Sequence, residues 1–402
     1  MIRDPIEQVP WLAGNTTPGA ELLDLRRETT ELTKESLAAA AQEIAEKEMR
    51  VRCLLAEKSL AALVLTTRAN FAWLTCGGDN RVANASETGV ASAVITPEAK
   101  YIVCDNIEAG RMMDEEVGTQ GFECHVRNWW EGSLADQIRK LATGRIGSDT
   151  AIPGTEMVPG DIAPLRYSLT CEEIERYRWL GKNTGGCMAE ACREIRRGMT
   201  EHEIAAVLGD KLLGRGIIPD LILVAADERI EKYRHPIPTD NTLGECAMLV
   251  TCARKWGLIV STTRIVHLGP VSLELRRKHD AVMAVDAELI AGTRPGSSVG
   301  DVFRAGVAAY ARTGFADEWK LHHQGGPTGY AGREYRGMPD SKGIVQPNQA
   351  FAWNPSITGT KSEDTIVALT DRTEVLSAHG DWPMKPIQIG STAIARPDIL
   401  EM

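Results

Sequence analysis

The chain has no C-x-x-C pair, no run approaching the ~18 apolar residues of a membrane span, and no excess of basic over acidic residues. Each absence removes a class of function. Nine cysteines, odd in number and scattered from Cys53 to Cys252, fit reduced and mostly buried thiols better than a disulfide frame. Lys+Arg 45 against Asp+Glu 55 leaves a net charge of −10, so the expected partner is a small-molecule substrate, with no nucleic acid and no membrane. The N-terminal MIRDPIEQVPWLAG lacks the charged-then-apolar pattern of a signal peptide, and a cytoplasmic location is expected.

What is present is ample material for cores, since 43% of 402 residues are hydrophobic, enough for two or three domains. Residues 1–30, with Pro5, Pro10, Pro18 and Trp11, read as an irregular N-terminal arm laid over a surface or a partner. Leu32, Leu37, Ala40, Ile44 and Met49 predict a helix from Thr30 to about Glu57. Strand and helix then alternate. A strand within 61–77, a hairpin of 92–97 and 101–105, helices over 106–118 and 132–142, and strands near 123–126 and 145–148 predict an α/β domain over 31–155. From 165 to 402 the pattern changes. Thr170 with Glu173 and Thr200 with Glu203 read as capping boxes that open helices toward Arg197 and Arg215. Strands at 221–225, 247–252, 256–261 and 263–267, helices at 272–289 and 298–313, and strands at 350–354 and 365–368 predict an antiparallel sheet backed by helices. The order helix–helix–strands occurs twice, which points to internal duplication.

The densest chemistry lies in WKLHHQGGPTGYAGRE, Trp319 to Glu334. Adjacent His322 and His323 each need a hydrogen-bond partner if buried, and each can titrate near neutrality. Glycines at 325, 326, 329 and 332 allow close approach of backbone or ligand. The segment reads as a site on a loop.

Four landmarks fall in one order: Arg234–His235–Pro236; STTRIVHLG at 261–269; HHQGGPTG at 322–329 followed by Arg333–Glu334; and Asn354–Pro355 followed by SEDTI at 362–366. Together they resemble the M24 peptidase and creatinase family, which includes aminopeptidase P, prolidase, methionine aminopeptidase and creatinase. The resemblance covers 170–370 in detail and 31–155 more loosely. It implies a creatinase-type N-terminal α/β domain and an α+β pita-bread C-terminal domain, with a curved antiparallel sheet backed by helices. It also implies a homodimer in which the N-terminal domain of one subunit closes the neighbouring active site, with Arg68, Asn70, Trp73 and Arg81 as candidates for that closure.

The departures from the family pattern matter most. The family's peptidases hold two metal ions with two aspartates, a histidine and two glutamates. The matching positions here carry Val250 or Thr251, Ser261, Gly326 and Asn354, and only Glu363 keeps its carboxylate. No aspartate lies between Glu245 and Asp280, so no shift of register restores the missing pair. A metal-free site without cofactors is therefore expected. By the same resemblance His235 is the first choice for base and proton shuttle. His322 matches the outer histidine of the family loop and is expected, with His323, to stabilise an oxyanion, while Glu334 and Glu363 orient the substrate's nitrogen side. Arg234, Arg264 and Arg333 are candidates for gripping a carboxylate, and Tyr330, Trp353 and Asn354 for lining the pocket. The expected function is a metal-independent hydrolase that cleaves a C–N bond of an amide, lactam or amidine in a small carboxylate-bearing metabolite. A metal-free lyase, an Xaa-Pro-type aminopeptidase and a non-catalytic binding module remain open as alternatives.

Overall fold

α1 (Lys34–Lys58) begins the residues described by the computed structural model, which are 34–378 and 381–402; the arm expected over 1–30 lies outside them. Glu43–Met402 form one unit by their internal contacts. β1 (Ala62–Thr67) is apolar and buried along most of its length, which makes it a central strand. β2 (Thr88–Ile95) pairs with it antiparallel and β3 (Lys100–Asp105) extends the hairpin. β4 (Glu123–Arg127), β5 (Ile146–Ser148) and β6 (Glu156–Met157) complete a six-stranded sheet of order β4-β3-β2-β1-β5-β6. The helix Leu134–Leu141 opens on a Ser133–Asp136 capping box. Over 106–118 the expected helix is replaced by a short turn of helix, Ala109–Arg111, and a π-helix, Met112–Glu116. The wider turn closes on a Val117 N–H to Met112 O bond of 2.9 Å and lets the Glu116 carboxylate reach the Asp79 N–H at 2.7 Å.

α2 (Arg68–Leu74) is fixed at its start by one carboxylate. Asp149, just past β5, accepts from the backbone N–H groups of Thr66 and Thr67, from both threonine hydroxyls, and from Asn70 Nδ2, all at 2.7–3.0 Å. That cluster sets the direction in which α2 presents Arg68.

The following part is α+β, as the sequence predicts. Both capping boxes are present, at the starts of the helices Cys171–Glu194 and Glu201–Gly214. β7 (Ile218–Ala226), β8 (Cys246–Lys255) and β9 (Leu258–His267) form an antiparallel meander. The β8–β9 hairpin turns on Trp256 and Gly257, whose φ values of 52° and 78° suit a two-residue primed turn. A Cβ on Gly257 would sit 2.3 Å from Ala72 Cβ, so the glycine lets the hairpin tip dock against α2. The helices Leu273–Gly292 and Val299–Arg312 precede a second sheet of β10 (Gly325–Thr328), β11 (Gln349–Trp353), β14 (Asp364–Ala368) and β15 (Thr373–Val375), with the short hairpin β12 (Ser356–Ile357) and β13 (Thr360–Lys361) between β11 and β14. The order of two helices followed by strands thus recurs. A final hairpin, β16 (Met384–Ile389) with β17 (Thr392–Pro397), and β18 (Leu400–Glu401), which adds to β9, have no counterpart in the sequence reading.

Replacing Asp149 with alanine leaves five donors without their acceptor. The expected loss is about 3 kcal/mol of unfolding free energy, measured by urea denaturation; a change under about 0.5 kcal/mol would contradict the role assigned to this carboxylate.

Candidate active site

In an antiparallel pair, residues opposite one another share a face, and here Cys252 lies opposite Ser261 and Val250 opposite Thr263. Val250 therefore belongs to the Ser261–Thr263 face, whereas Thr251 turns away and donates its hydroxyl to Leu221 O at 3.0 Å. Glu363, one residue before β14, is bridged to this face. Thr263 N–H donates to its backbone oxygen at 3.1 Å and Thr263 Oγ1 to its Oε2 at 2.6 Å. Two cations complete the shell of the buried carboxylate: Lys361 Nζ at 2.7 Å and Arg333 Nη2 at 3.3 Å. Burial pushes the Glu363 carboxyl up, but Lys361, Arg333 and the Thr263 hydroxyl outweigh it and hold it below the usual carboxylate range.

Three imidazoles gather beside this carboxylate. His235 Nε2 and His322 Nε2 are 3.2 Å apart, His322 Nδ1 is 3.3 Å from Ser356 Oγ, and Gly325 N–H donates to His323 Nδ1 at 3.3 Å. Burial, followed by the Lys361 charge, lowers His322 to about 2, and burial with the Arg333 charge lowers His323 to about 4. His235 is the most open of the three; partial desolvation and the Lys361 charge move it down while Glu363 opposes them. Their nitrogens lie within 4.8 Å of one another, the one group of three or more metal-type ligands among the described residues. The segment read as a loop is in part strand, because Gly325–Thr328 pairs with β11. A Cβ on Gly325 would meet Ala352 O at 2.1 Å, and one on Gly326 would meet Tyr335 O and Gly337 N at 2.7 Å. Backbone thus closes the position that the resemblance gives to a histidine.

Other expected site residues are engaged elsewhere. Glu334 is buried and paired with Arg166, at 2.9 Å to Nε and 2.5 Å to Nη2, so it does not orient substrate beside Glu363. Arg234 binds Glu318 at 2.8 Å and Thr358 at 2.9 Å, and Arg264 is buried against Asp364 at 2.9 Å and the Ser377 carbonyl at 3.0 Å, so neither is free to grip a carboxylate. Trp353 is core, its Nε1–H on Thr293 Oγ1 at 2.8 Å. Tyr330 is buried with its hydroxyl on Glu173 at 2.6 Å, although its backbone stretch walls a cavity. Asn70 is held by Asp149 and Arg166, Trp73 is buried core, and Arg81 pairs with Asp79 at 2.6 Å. Asn354 is buried and its Oδ1 has no partner. Sequence reasoning missed Lys361. The available signal was its position two residues before Glu363 in an extended segment, which puts both side chains on one face.

Arg333 joins this cluster to open space. Its Nη1 lies 3.4 Å from Ser261 Oγ, its Nε has no partner, and it lines a cavity of about 660 Å³ together with Arg68, Arg254, Asp220 and Cys252.

The sequence model of metallopeptidase family M24 matches residues 175–375, half of the chain. Comparison with curated proteins returns no match by sequence. Among solved structures, an Xaa-Pro dipeptidase from Bacillus anthracis superposes with a TM-score of 0.71 at 17% identity, covering 89% of this chain and 100% of that one. A prolidase from Pyrococcus horikoshii OT3 gives 0.71 at 16% identity over 83% of this chain and 98% of its own. The N-terminal domain of FACT complex subunit SPT16 from Cicer arietinum gives 0.65 at 13% identity over 84% and 97%. At such identities the likeness speaks for the fold alone, a mixed α/β N-terminal part with a pita-bread C-terminal part. With the family's model matched over half its length and this fold beneath it, the chain belongs to metallopeptidase family M24.

Proposed function

We propose that this member of family M24 is a metal-independent hydrolase that cleaves a C–N bond, in an amide, lactam or amidine, of a small carboxylate-bearing molecule. The family implies metal, and the residues at hand do not fit a pair of divalent ions. Ser261 and Asn354 are neutral, Val250 is apolar, and a side chain at Gly326 would collide with backbone. Glu363 is already neutralised by Lys361 and Arg333. The three imidazoles could offer nitrogens to a single ion, with Lys361, Arg333, Arg336 and Arg234 adding positive charge around them and Glu363 opposing it.

The observation that carries the reading is the pair of neutral imidazoles, His235 on His322, beside an ionised and clamped Glu363. The hydrogen bonds are satisfied when His235 Nε2–H donates to His322 Nε2 and His322 Nδ1–H to Ser356 Oγ, which leaves His235 Nδ1 as an open lone pair. A water attacking the substrate carbon gives its proton to His235 Nδ1, and the same proton goes to the leaving nitrogen as the C–N bond breaks. His322, whose protonation is suppressed by burial, keeps accepting from His235 while that ring is charged. Because Gly325 N–H occupies His323 Nδ1, the proton of a neutral His323 sits on Nε2, as a donor to the developing oxyanion. An elimination uses the same base without water. Peptide cleavage is the second reading, favoured by the Xaa-Pro dipeptidase and prolidase among proteins of this fold.

The test is turnover of a panel of small amides, lactams and amidines, with dipeptides bearing a second-position proline alongside. His235→Ala is expected to lower kcat on the true substrate by about 10²–10⁴-fold, and an unchanged kcat overturns the role. Because the His235 pKa is lowered in the free protein, the acid limb of kcat/KM should lie below the ordinary imidazole value of about 6.5. Stability must be followed in the same series. His322 and His323 take up no proton in the folded state near pH 6.5 while the unfolded chain does, so stability falls as pH drops from 6.5 toward about 4. An acid limb above pH 6.5 contradicts the assignment of His235.

A further inference from the structure

Arg68 is a buried cation without a counter-charge. The residue is 8% exposed, its Nη1 donates to Asn84 O at 2.9 Å, and its Nε and Nη2 have no partner. The acids near it are taken. Asp220 binds Arg254 at 2.6 Å and Asp79 binds Arg81 at 2.6 Å, while Glu87, also on the cavity wall, is exposed. Burial and the Arg254 charge push the Arg68 guanidinium down. An ionised group left buried without a partner is destabilising, and a ligand of opposite charge would relieve it. The cavity, about 660 Å³, is large enough for a small metabolite, and Arg68, Arg254 and Arg333 all line it. Arg254 is matched by Asp220 and Arg333 leans on Glu363 with its Nε unpaired, which leaves Arg68 and the exposed Glu87 as the lining charges without an ion pair, and Arg68 is the buried one of the two.

We propose that this cavity binds the anionic group of a small ligand, a carboxylate or a phosphate, with Arg68 as the anchor and Arg333 as the link to the Glu363 cluster. Guanidinium Nε and one Nη form an edge that can receive two oxygens of one anion side by side; in Arg68 both are unpartnered and shielded from solvent, so an anion engages them only as the side chain turns that edge toward the cavity it lines. The anchor comes from the same chain that carries the imidazoles. Placing the ligand's reactive end at His235 rests on the hydrolase reading; the binding itself does not.

The experiment is isothermal titration of the full chain with succinate and, separately, with inorganic phosphate. It compares the unaltered protein with Arg68→Gln, Arg68→Lys and, as a control outside the cavity, Arg139→Gln. At least one probe should bind with Kd below about 10 mM, and the tighter of the two identifies the anion. Arg68→Gln should weaken it about tenfold or more, Arg68→Lys less, and Arg139→Gln should bind as the unaltered protein does. Without probe, Arg68→Gln should melt at the same or a higher temperature, because an unpaired buried charge has been removed. Failure of both probes to bind, equal binding by Arg68→Gln, or a lower melting temperature for Arg68→Gln each overturn the proposal. If no substrate turns over while Arg68-dependent binding persists, the hydrolase reading fails and the anion site stands.

Discussion

The arrangement turns on one buried carboxylate and the two side-chain cations that hold it. Glu363 sits where a carboxylate needs compensation, and Lys361 and Arg333 supply it with Thr263 as a third partner. Removing either partner of a buried ion pair typically costs about 3–5 kcal/mol, because the survivor keeps its charge in a poor solvent. Burial first, and the same cations after it, lower the neighbouring imidazoles, while those cations hold the carboxylate ionised against its own burial.

The short segment around Glu363 shows how backbone geometry sorts these charges. Side chains alternate along extended chain, so Lys361 and Glu363 face the imidazoles while Ser362 and Asp364 face the opposite way. On that side Ser362 Oγ donates to Asp286 at 2.5 Å, Arg396 bridges Asp286 and Asp364 at 2.6 Å each, and Arg264 meets Asp364 at 2.9 Å. This second layer is fully buried and leaves the strand little freedom to shift. Arg264, expected from the sequence as a candidate for gripping a carboxylate, thus holds the site from behind.

What was legible in the sequence was local or periodic. The capping boxes at Thr170 and Thr200 need only residues three apart, and strands such as β1 and β8 announce themselves by apolar runs, whereas 256–261 and 263–267, read as two strands, form the single β9 after a turn at Trp256 and Gly257. The family order of motifs likewise placed His235, His322 and Glu363 in one region. What could not be read were partners set by the fold. Glu334 meets Arg166, 168 residues away, and Arg264 meets Asp364, 100 residues away, so both left the site for reasons no spacing reveals. The helix expected over 106–118 is helical only over 109–116, with its second part wound as a π-turn, and Glu116 at its end accepts from the Asp79 N–H, a tertiary partner no local pattern shows. Arg68 was noticed through the resemblance, but that its two free nitrogens lack partners is visible only once Asp220 and Asp79 are seen bound to other arginines.

If side-chain cations stand in for the family's paired ions, as proposed for Lys361 and Arg333 beside Glu363, the protein holds no divalent metal. Elemental analysis of the purified protein, after incubation with excess manganese, cobalt and zinc and removal of unbound ion, tests this most directly. The expected result is fewer than about 0.2 metal ions retained per chain. One or two ions held per chain would contradict it.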